Sequence, residues 1–343
     1  MRLLALLEDA EGPSARLRLE PFARRLEAQG HAVERVALPG SGPRRWRELA
    51  AARAFDAALV QRRLLLPWES ALLRARARRL VVDVDDAIWR RDHPPFESWS
   101  RRVRAGALLR RADAVLAGSR TLAGELSVFG VRAFHLPTPA PPQPPAAPGD
   151  RAPAEAGALV WIGQRATFRY LRDLGPAWAR IRAARPRVRL IVVGSGLAGD
   201  EAFPGAEFRD WSLAAEREAL AEATIGLAPL PDDPWTRGKC GARLLTCLAS
   251  GLTAVASPVG AQRELAEEVG GVIAARSAEE FASAALSLLA DREGTVRTGA
   301  GARARLQALR GIDALWDGWA AQVAGSRGSG LVGARVAAPP AAG

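Results

Sequence analysis

Apolar positions along the chain fall into short clusters separated by longer stretches in which they recur every third or fourth residue. Arg2–Leu7 reads as a strand, Glu8–Ser14 as a turn-rich loop containing Gly12, and Ala15–Gln29 as a helix. Leu19, Phe22 and Leu26 line one face of that helix and Gly30 closes it. Further strands are predicted at Ala32–Leu38, Ala57–Val60, Leu80–Val84, Ala114–Ala117 and Ala133–Leu136, with helical stretches between. The rhythm stops at Pro137–Pro153, PTPAPPQPPAAPGDRAP, an extended proline-alanine linker. It restarts with a strand at Ala158–Ile162, a helix over Phe168–Ala184, a strand at Val188–Val193 and a turn at Gly194–Gly196. Next come a strand at Ile225–Leu230, a polar loop at Pro231–Lys239, a helix at Gly241–Ser250, a strand at Thr253–Ser257, then a glycine turn and a second helix. Ser277–Ala290, Thr295–Leu309 and Ile312–Val323 are helical, and the small-residue tail Gly325–Gly343 reads as disordered. Short apolar strands alternating with amphipathic helices predict an α/β fold, with parallel sheets covered on both faces. The linker divides it into two units, with ligands expected beyond the carboxyl ends of the strands.

Composition narrows the function classes. With 343 residues, 48% hydrophobic and 25% charged, the chain is expected to be soluble and to hold two domains. No apolar run approaches the ~20 residues of a membrane span, and the Met1–Leu7 run is too short for a leader. The net charge of +11 suggests nucleic acid, but Lys239 is the only lysine, asparagine is absent, and arginine is spread over every predicted helix. That is the mark of a GC-rich coding bias rather than of a nucleic-acid surface. A basic N-terminal half leaves a peripheral contact with anionic membrane as the expectation. Cys240 and Cys247 lie on one predicted helix, too far apart to bridge, and no further ligand stands at metal spacing. The expectation is a cytoplasmic protein, peripheral at the inner face of the membrane, without disulfides or metal.

The chemistry concentrates between Ile225 and Leu265. Gly238, Lys239 and Gly241 precede a helix, so peptide N–H groups and one ammonium converge on its positive end, an anion site suited to a nucleotide diphosphate. Asp83, Asp85 and Asp86 follow an apolar strand. Asp85 or Asp86 either orients an acceptor hydroxyl or caps a helix over Ala87–Arg90. Arg16 and Arg18 follow the Gly12 loop, where they could meet a phosphate across the cleft, but in so arginine-rich a chain a solvated helix face is the expectation. His31, His93 and His135 have no triad partners, no Gly-x-Ser-x-Gly is present, and VVGSG (192–196) falls short of a dinucleotide fingerprint.

The ordered series of motifs resembles the retaining family-4 (group 1) glycosyltransferases of the GT-B fold. It comprises LEAQGHAV (26–33) after the Gly12 loop, HLPTP (135–139), WIG (161–163), VVGSG, and KCGARLLTCLASGLTAVASPVGAQREL (239–265). The resemblance implies two Rossmann-like domains facing across a cleft: an acceptor domain over 1–137, a linker over 138–157 and a nucleotide-sugar domain over 158–311. Residues 312–324 would cross back to the first domain. Carried over by position, Lys239, Cys240 and Gly241 would hold the diphosphate, with Arg165 after the Gly163 strand as a second cation. Gly194, Gly196 and Trp211 would border the nucleobase. Gly12 belongs to the same binding pattern. The glutamates that many members carry eight positions apart are here Gly238 and Thr246. Thr246 keeps a hydroxyl for the ribose, and Asp232 or Asp233 is the candidate to grip the sugar.

The implied activity is transfer of a sugar from a nucleotide-diphosphate donor to a carbohydrate or lipid-linked acceptor of the cell envelope, with no cofactor and no metal. The short Asp-x-Asp at 83–85 also fits the metal-binding motif of the other large glycosyltransferase fold, a rival that the two-unit organisation disfavours. The alternatives are a GT-B-like protein that binds nucleotide without turnover and a sugar-nucleotide epimerase.

Overall fold

The computed structural model describes residues 1–142 and 157–325. Most of the proline-rich stretch and of the C-terminal tail therefore lie outside the described residues. The chain divides into two compact units. Unit 1 comprises Met1–Gly118, Ala123–Pro137 and the chain from Ile312, and unit 2 comprises Ser119–Leu122 and Thr138–Gly311.

Unit 1 runs β1 (Arg2–Leu7), α1 (Glu20–Ala28), β2 (Ala32–Ala37), α2 (Pro43–Ala51), β3 (Ala57–Gln61), α3 (Pro67–Arg76), β4 (Leu80–Val84), α4 (Trp99–Leu109), β5 (Ala114–Ala117), α5 (Arg120–Leu126) and β6 (Phe134–His135). The six strands are parallel in the order β2-β1-β3-β4-β5-β6. Strands β3, β4 and β5 are buried along their whole length, as the two-faced apolar runs require. On one face Leu3, Leu59, Val81 and Leu116 pack with Phe22 and Leu26. The helix predicted over Ala15–Gln29 opens as a π-helical turn, Ala15–Leu19, before settling into α1.

Unit 2 runs β7 (Ala158–Ile162), α6 (Arg165–Arg172), α7 (Gly175–Ala184), β8 (Arg189–Val193), β9 (Glu207–Arg209), α8 (Leu213–Glu222), β10 (Ile225–Ala228), α9 (Ala242–Ala249), β11 (Thr253–Ala256), α10 (Ala261–Val269), β12 (Val272–Ala274), α11 (Ala278–Ala290) and α12 (Arg292–Arg310). Its six parallel strands are ordered β12-β11-β10-β7-β8-β9. Leu159, Trp161, Leu190 and Val192 face Trp178, Ile181 and Phe281, while Val160, Ile191 and Val193 face Leu220 and Cys247. That is the alternation a sheet with two covered faces produces.

The single helix expected over Phe168–Ala184 is two. α6 ends at Arg172, and α7 restarts with Pro176 in its first turn, where the missing N–H costs nothing. Cys240 precedes α9 rather than sharing a helix with Cys247, and the two buried cysteines form no disulfide. Last in the chain, α13 (Ile312–Ala324) belongs to unit 1, where Trp316 and Trp319 are buried beside Phe22. The Phe22 and Trp319 rings stack with centroids 4.8 Å apart.

Candidate functional site

In unit 2 the loop between β10 and α9 is held by its own polar groups. Asp233 Oδ1 accepts from the backbone N–H of Trp235 and of Thr236, both at 2.8 Å, and a 3₁₀ turn over Thr236–Gly238 follows. Asp232 is paired with Arg237 at 2.6 Å, which draws its carboxyl below the usual carboxylate range. Both aspartates expected to be available for a sugar are thus already engaged within the loop. Lys239 is half-buried, its ammonium 4.9 Å from the centroid of the Trp235 ring. Gly241 is the N-cap of α9 with φ +68°, a left-handed conformation that favours glycine, and no side chain caps the helix. The first turn of α9 therefore offers backbone donors and the positive end of the dipole next to Lys239.

The loop after β7 converges on the same helix. Gly163 lies so close to its neighbours that an added Cβ would come within 2.5 Å of Trp161 and 2.6 Å of the Arg243 guanidinium. Arg165, the exposed first residue of α6, donates to the Gly196 carbonyl at 3.3 Å, joining the β7 loop to the Gly194–Gly196 turn. That turn is fixed in its own right, since the Gly196 N–H donates to Asp210 Oδ1 at 2.9 Å. Trp211 beside it donates from Nε1 to Glu216 at 2.8 Å and remains 36% exposed. Thr246 is half-buried on α9, and Gly238 and Cys240 are buried in the loop.

Sequence reasoning missed Arg243. It lies two residues past Gly241, donates to the Ile162 carbonyl and to Thr167 Oγ1 (3.1 Å), and sits 4.5 Å from the centroid of the Trp161 ring. Burial pulls its pKa down to about 10, and burial pushes the neighbouring Cys247 thiol up to about 12. Arg243 ties the start of α9 to the end of β7. In a chain so rich in arginine, nothing in its spacing distinguished it.

In unit 1 the three aspartates at the end of β4 play separate parts. Asp83 accepts a bidentate pair from Arg18, at 3.0 and 2.6 Å, and a third bond from Gln61 at 2.8 Å. Arg18 also donates to the Leu136 carbonyl at 3.1 Å. The reading of Arg18 as solvated is therefore corrected: it is 3% exposed, because an unpaired Asp83 carboxylate in the sheet would be costly. Asp86 is ion-paired with Arg62 at 2.9 Å, and Arg62 pairs also with Glu8 at 3.0 Å. The alternative in which one of these aspartates caps a helix over Ala87–Arg90 does not hold, since no helix forms there. The chain turns there through bonds from the Ile88 N–H to the Asp86 carbonyl and from the Arg90 N–H to that of Ala87. Asp85 is 7% exposed and its Oδ1 has no hydrogen-bond partner. Burial pushes its carboxyl up to about 6, with Asp86 adding to the rise and Arg62 opposing it. Gly12 stands in the loop after β1, packed against Asp9, and its carbonyl accepts from the Arg16 N–H at 3.0 Å.

Among the described residues no group of three His, Cys, Asp or Glu side chains is arranged to hold a metal ion, and no helix is long and apolar enough to cross a membrane.

Residues 157–291, within unit 2, match the family model described as glycosyl transferases group 1. No curated protein matches the chain by sequence. Among solved structures, HepE of Anabaena in complex with UDP aligns over 92% of this chain and 97% of its own, at 16% identity and a TM-score of 0.63. Sucrose-phosphate synthase of Thermosynechococcus elongatus aligns over 92% and 96% (15% identity, TM-score 0.65), and a glycosyltransferase of Rickettsia africae over 92% and 95% (11%, 0.66). The architecture is that of GT-B, with two parallel six-stranded sheets and their helices. Within unit 2, residues 157–291 are thus similar to the group 1 glycosyl transferases, and the whole chain shares the fold of these solved structures.

Proposed function

We propose that the protein is a retaining glycosyltransferase of family 4. It would transfer a sugar from a nucleotide-diphosphate donor held by unit 2 to a carbohydrate or lipid-linked acceptor of the cell envelope held by unit 1. The observation that carries this reading is the convergence at the start of α9 of an uncapped helix N-terminus, the Lys239 ammonium and the loop that Arg165 ties down, all within the region that matches the family model. HepE is a structural neighbour crystallised with UDP-glucose, which supports a nucleotide sugar as the donor class.

As the bond between sugar and diphosphate breaks, negative charge grows on the leaving phosphate. Fixed donors and cations around that atom lower the barrier without having to reorganise. The backbone N–H groups of the first turn of α9, Lys239 and Arg165 fill this role. In a front-face reaction the leaving phosphate also takes the acceptor's proton. Asp85, whose Oδ1 is otherwise unpartnered, accepts from a neighbouring hydroxyl of the acceptor and so orients the attacking one, whose proton goes to the phosphate. Thr246 offers a hydroxyl to the ribose. Catalysis takes place on the cytoplasmic side, at an anionic membrane surface.

The test is to supply UDP-, GDP- and ADP-sugars with lipid-linked acceptors and follow the product by NMR. Release of one nucleotide diphosphate, with the anomeric configuration of the donor preserved, is the expected result. Inverted product would overturn retention, and no release with any donor would overturn transfer. A second reading, nucleotide binding without turnover, is favoured by the lack of a carboxylate at 238 and 246 and by the engagement of Asp232 and Asp233 within their own loop. It predicts saturable binding of a nucleotide diphosphate with no release in the same assay.

A further inference from the structure

We infer that the rim of unit 1 at the carboxyl end of its sheet docks on an anionic lipid bilayer through Trp46, Trp68 and Trp99. The strand order places β3, β4 and β5 in sequence, and right-handed crossovers then put α2, α3 and α4 on the same face of the sheet. The three helices are packed side by side, α2 on α3 and α3 on α4. Each helix runs back from the carboxyl end of the sheet to the start of the next parallel strand, so their first turns lie towards one rim. Trp46 lies in the opening turn of α2, Trp68 is the second residue of α3 and Trp99 opens α4. They are 43%, 48% and 80% exposed, while the largest side chains elsewhere in the unit, such as Trp89, Trp316 and Trp319, are buried. The Trp46 and Trp68 rings meet edge to face at 5.5 Å, which makes them one patch, and Val103, one turn after Trp99, is exposed as well.

The charge on these helices is one-sided. α2, α3 and α4 carry eight arginines against two glutamates, and the buried Arg45–Glu69 pair removes one of each from the surface. Arg44, Arg47, Arg101 and Arg104, in the first half of α2 and α4, face solvent. Indole rings partition to the headgroup level of a bilayer, and arginines beside them gain from anionic phosphates. A second copy of the chain docked rim to rim would instead set like charges against each other. The inference rests on the reading of unit 1 as the acceptor half for its consequence. The same sheet end holds Asp85, so a lipid-linked acceptor would reach that carboxylate without leaving the membrane surface.

The test uses the full chain, with phosphatidylcholine vesicles and vesicles containing about 30% phosphatidylglycerol. The expected result is sedimentation with the anionic vesicles, about tenfold or more weaker on phosphatidylcholine alone and weakened by salt. Brominated lipid should quench tryptophan emission. The variant Trp46→Ala/Trp68→Ala/Trp99→Ala should lose about tenfold or more of its binding at an unchanged melting temperature. Equal sedimentation with both vesicle types, binding by the triple variant equal to that of the parent, or tryptophan-dependent self-association without vesicles would each overturn the proposal. Calorimetric titration with UDP, GDP and ADP on the same preparations separates the two readings. Failure of the donor site would show there, and failure of docking only with the vesicles.

Discussion

At Asp85, burial and the neighbouring Asp86 raise the carboxyl to about 6 while Arg62 holds it back. A carboxyl whose folded pKa exceeds its unfolded value of about 4 adds stability that is complete below that value and lost as pH rises through about 6. Asp85→Asn should remove this slope, so its melting temperature should gain on that of the parent between about pH 4 and 6. Because the proposed role needs the carboxylate, acceptor-dependent turnover of the parent should climb to a plateau above about pH 6. The Asn variant should be slow and flat across the same range. A variant that keeps the parent's pH profile would remove Asp85 from the acceptor site. The aspartates themselves were legible in the sequence as a cluster after a strand. Their division of labour was not, because it depends on Arg18 and Arg62. Those residues come from distant segments and are indistinguishable, in so arginine-rich a chain, from solvated ones.

At the scale of elements, the Gly241 helix start was the most legible part of the chain. A glycine before an apolar helix of small residues allows few other local structures, and α9 begins one residue later than expected. Gly241→Ala forces a side chain into the φ +68° conformation, although the nearest neighbour lies at an ordinary 3.6 Å. The expected cost is about 1–2 kcal/mol of stability by denaturant titration, together with weaker nucleotide-diphosphate binding as the first turn shifts. Unchanged stability and affinity would mean that the turn tolerates the strain. Less legible were the break between α6 and α7, where the apolar spacing runs on past Pro176, and the short strands β9 and β12. Those strands occupy the two edges of the unit 2 sheet and are only half-buried, so their apolar signal is weak.

At the scale of the whole molecule, the repeated strand and helix rhythm was enough to anticipate two parallel sheets, because buried parallel strands leave a continuous apolar run. The place of α13 came only with the resemblance, since nothing in its periodicity tells which unit it joins. Its Trp319 is buried against Phe22 and Trp316, with the rings stacked. Trp319→Ala should cost unit 1 about 3–5 kcal/mol and lower its melting transition, whereas the transition of unit 2 should not move. A single transition that shifts as a whole would show instead that the two units unfold together.

On the proposed function, the Lys239 loop and the start of α9 hold the diphosphate of the donor. Calorimetric titration of the full chain and of Lys239→Ala with UDP, GDP and ADP, and with the corresponding nucleosides, tests it most directly. One nucleotide diphosphate should bind, Lys239→Ala should weaken it by about 1–3 kcal/mol, the scale of a charge-assisted hydrogen bond, and nucleoside binding should be unaffected. Unchanged diphosphate affinity in Lys239→Ala, or equal losses for nucleoside and nucleotide, would contradict it.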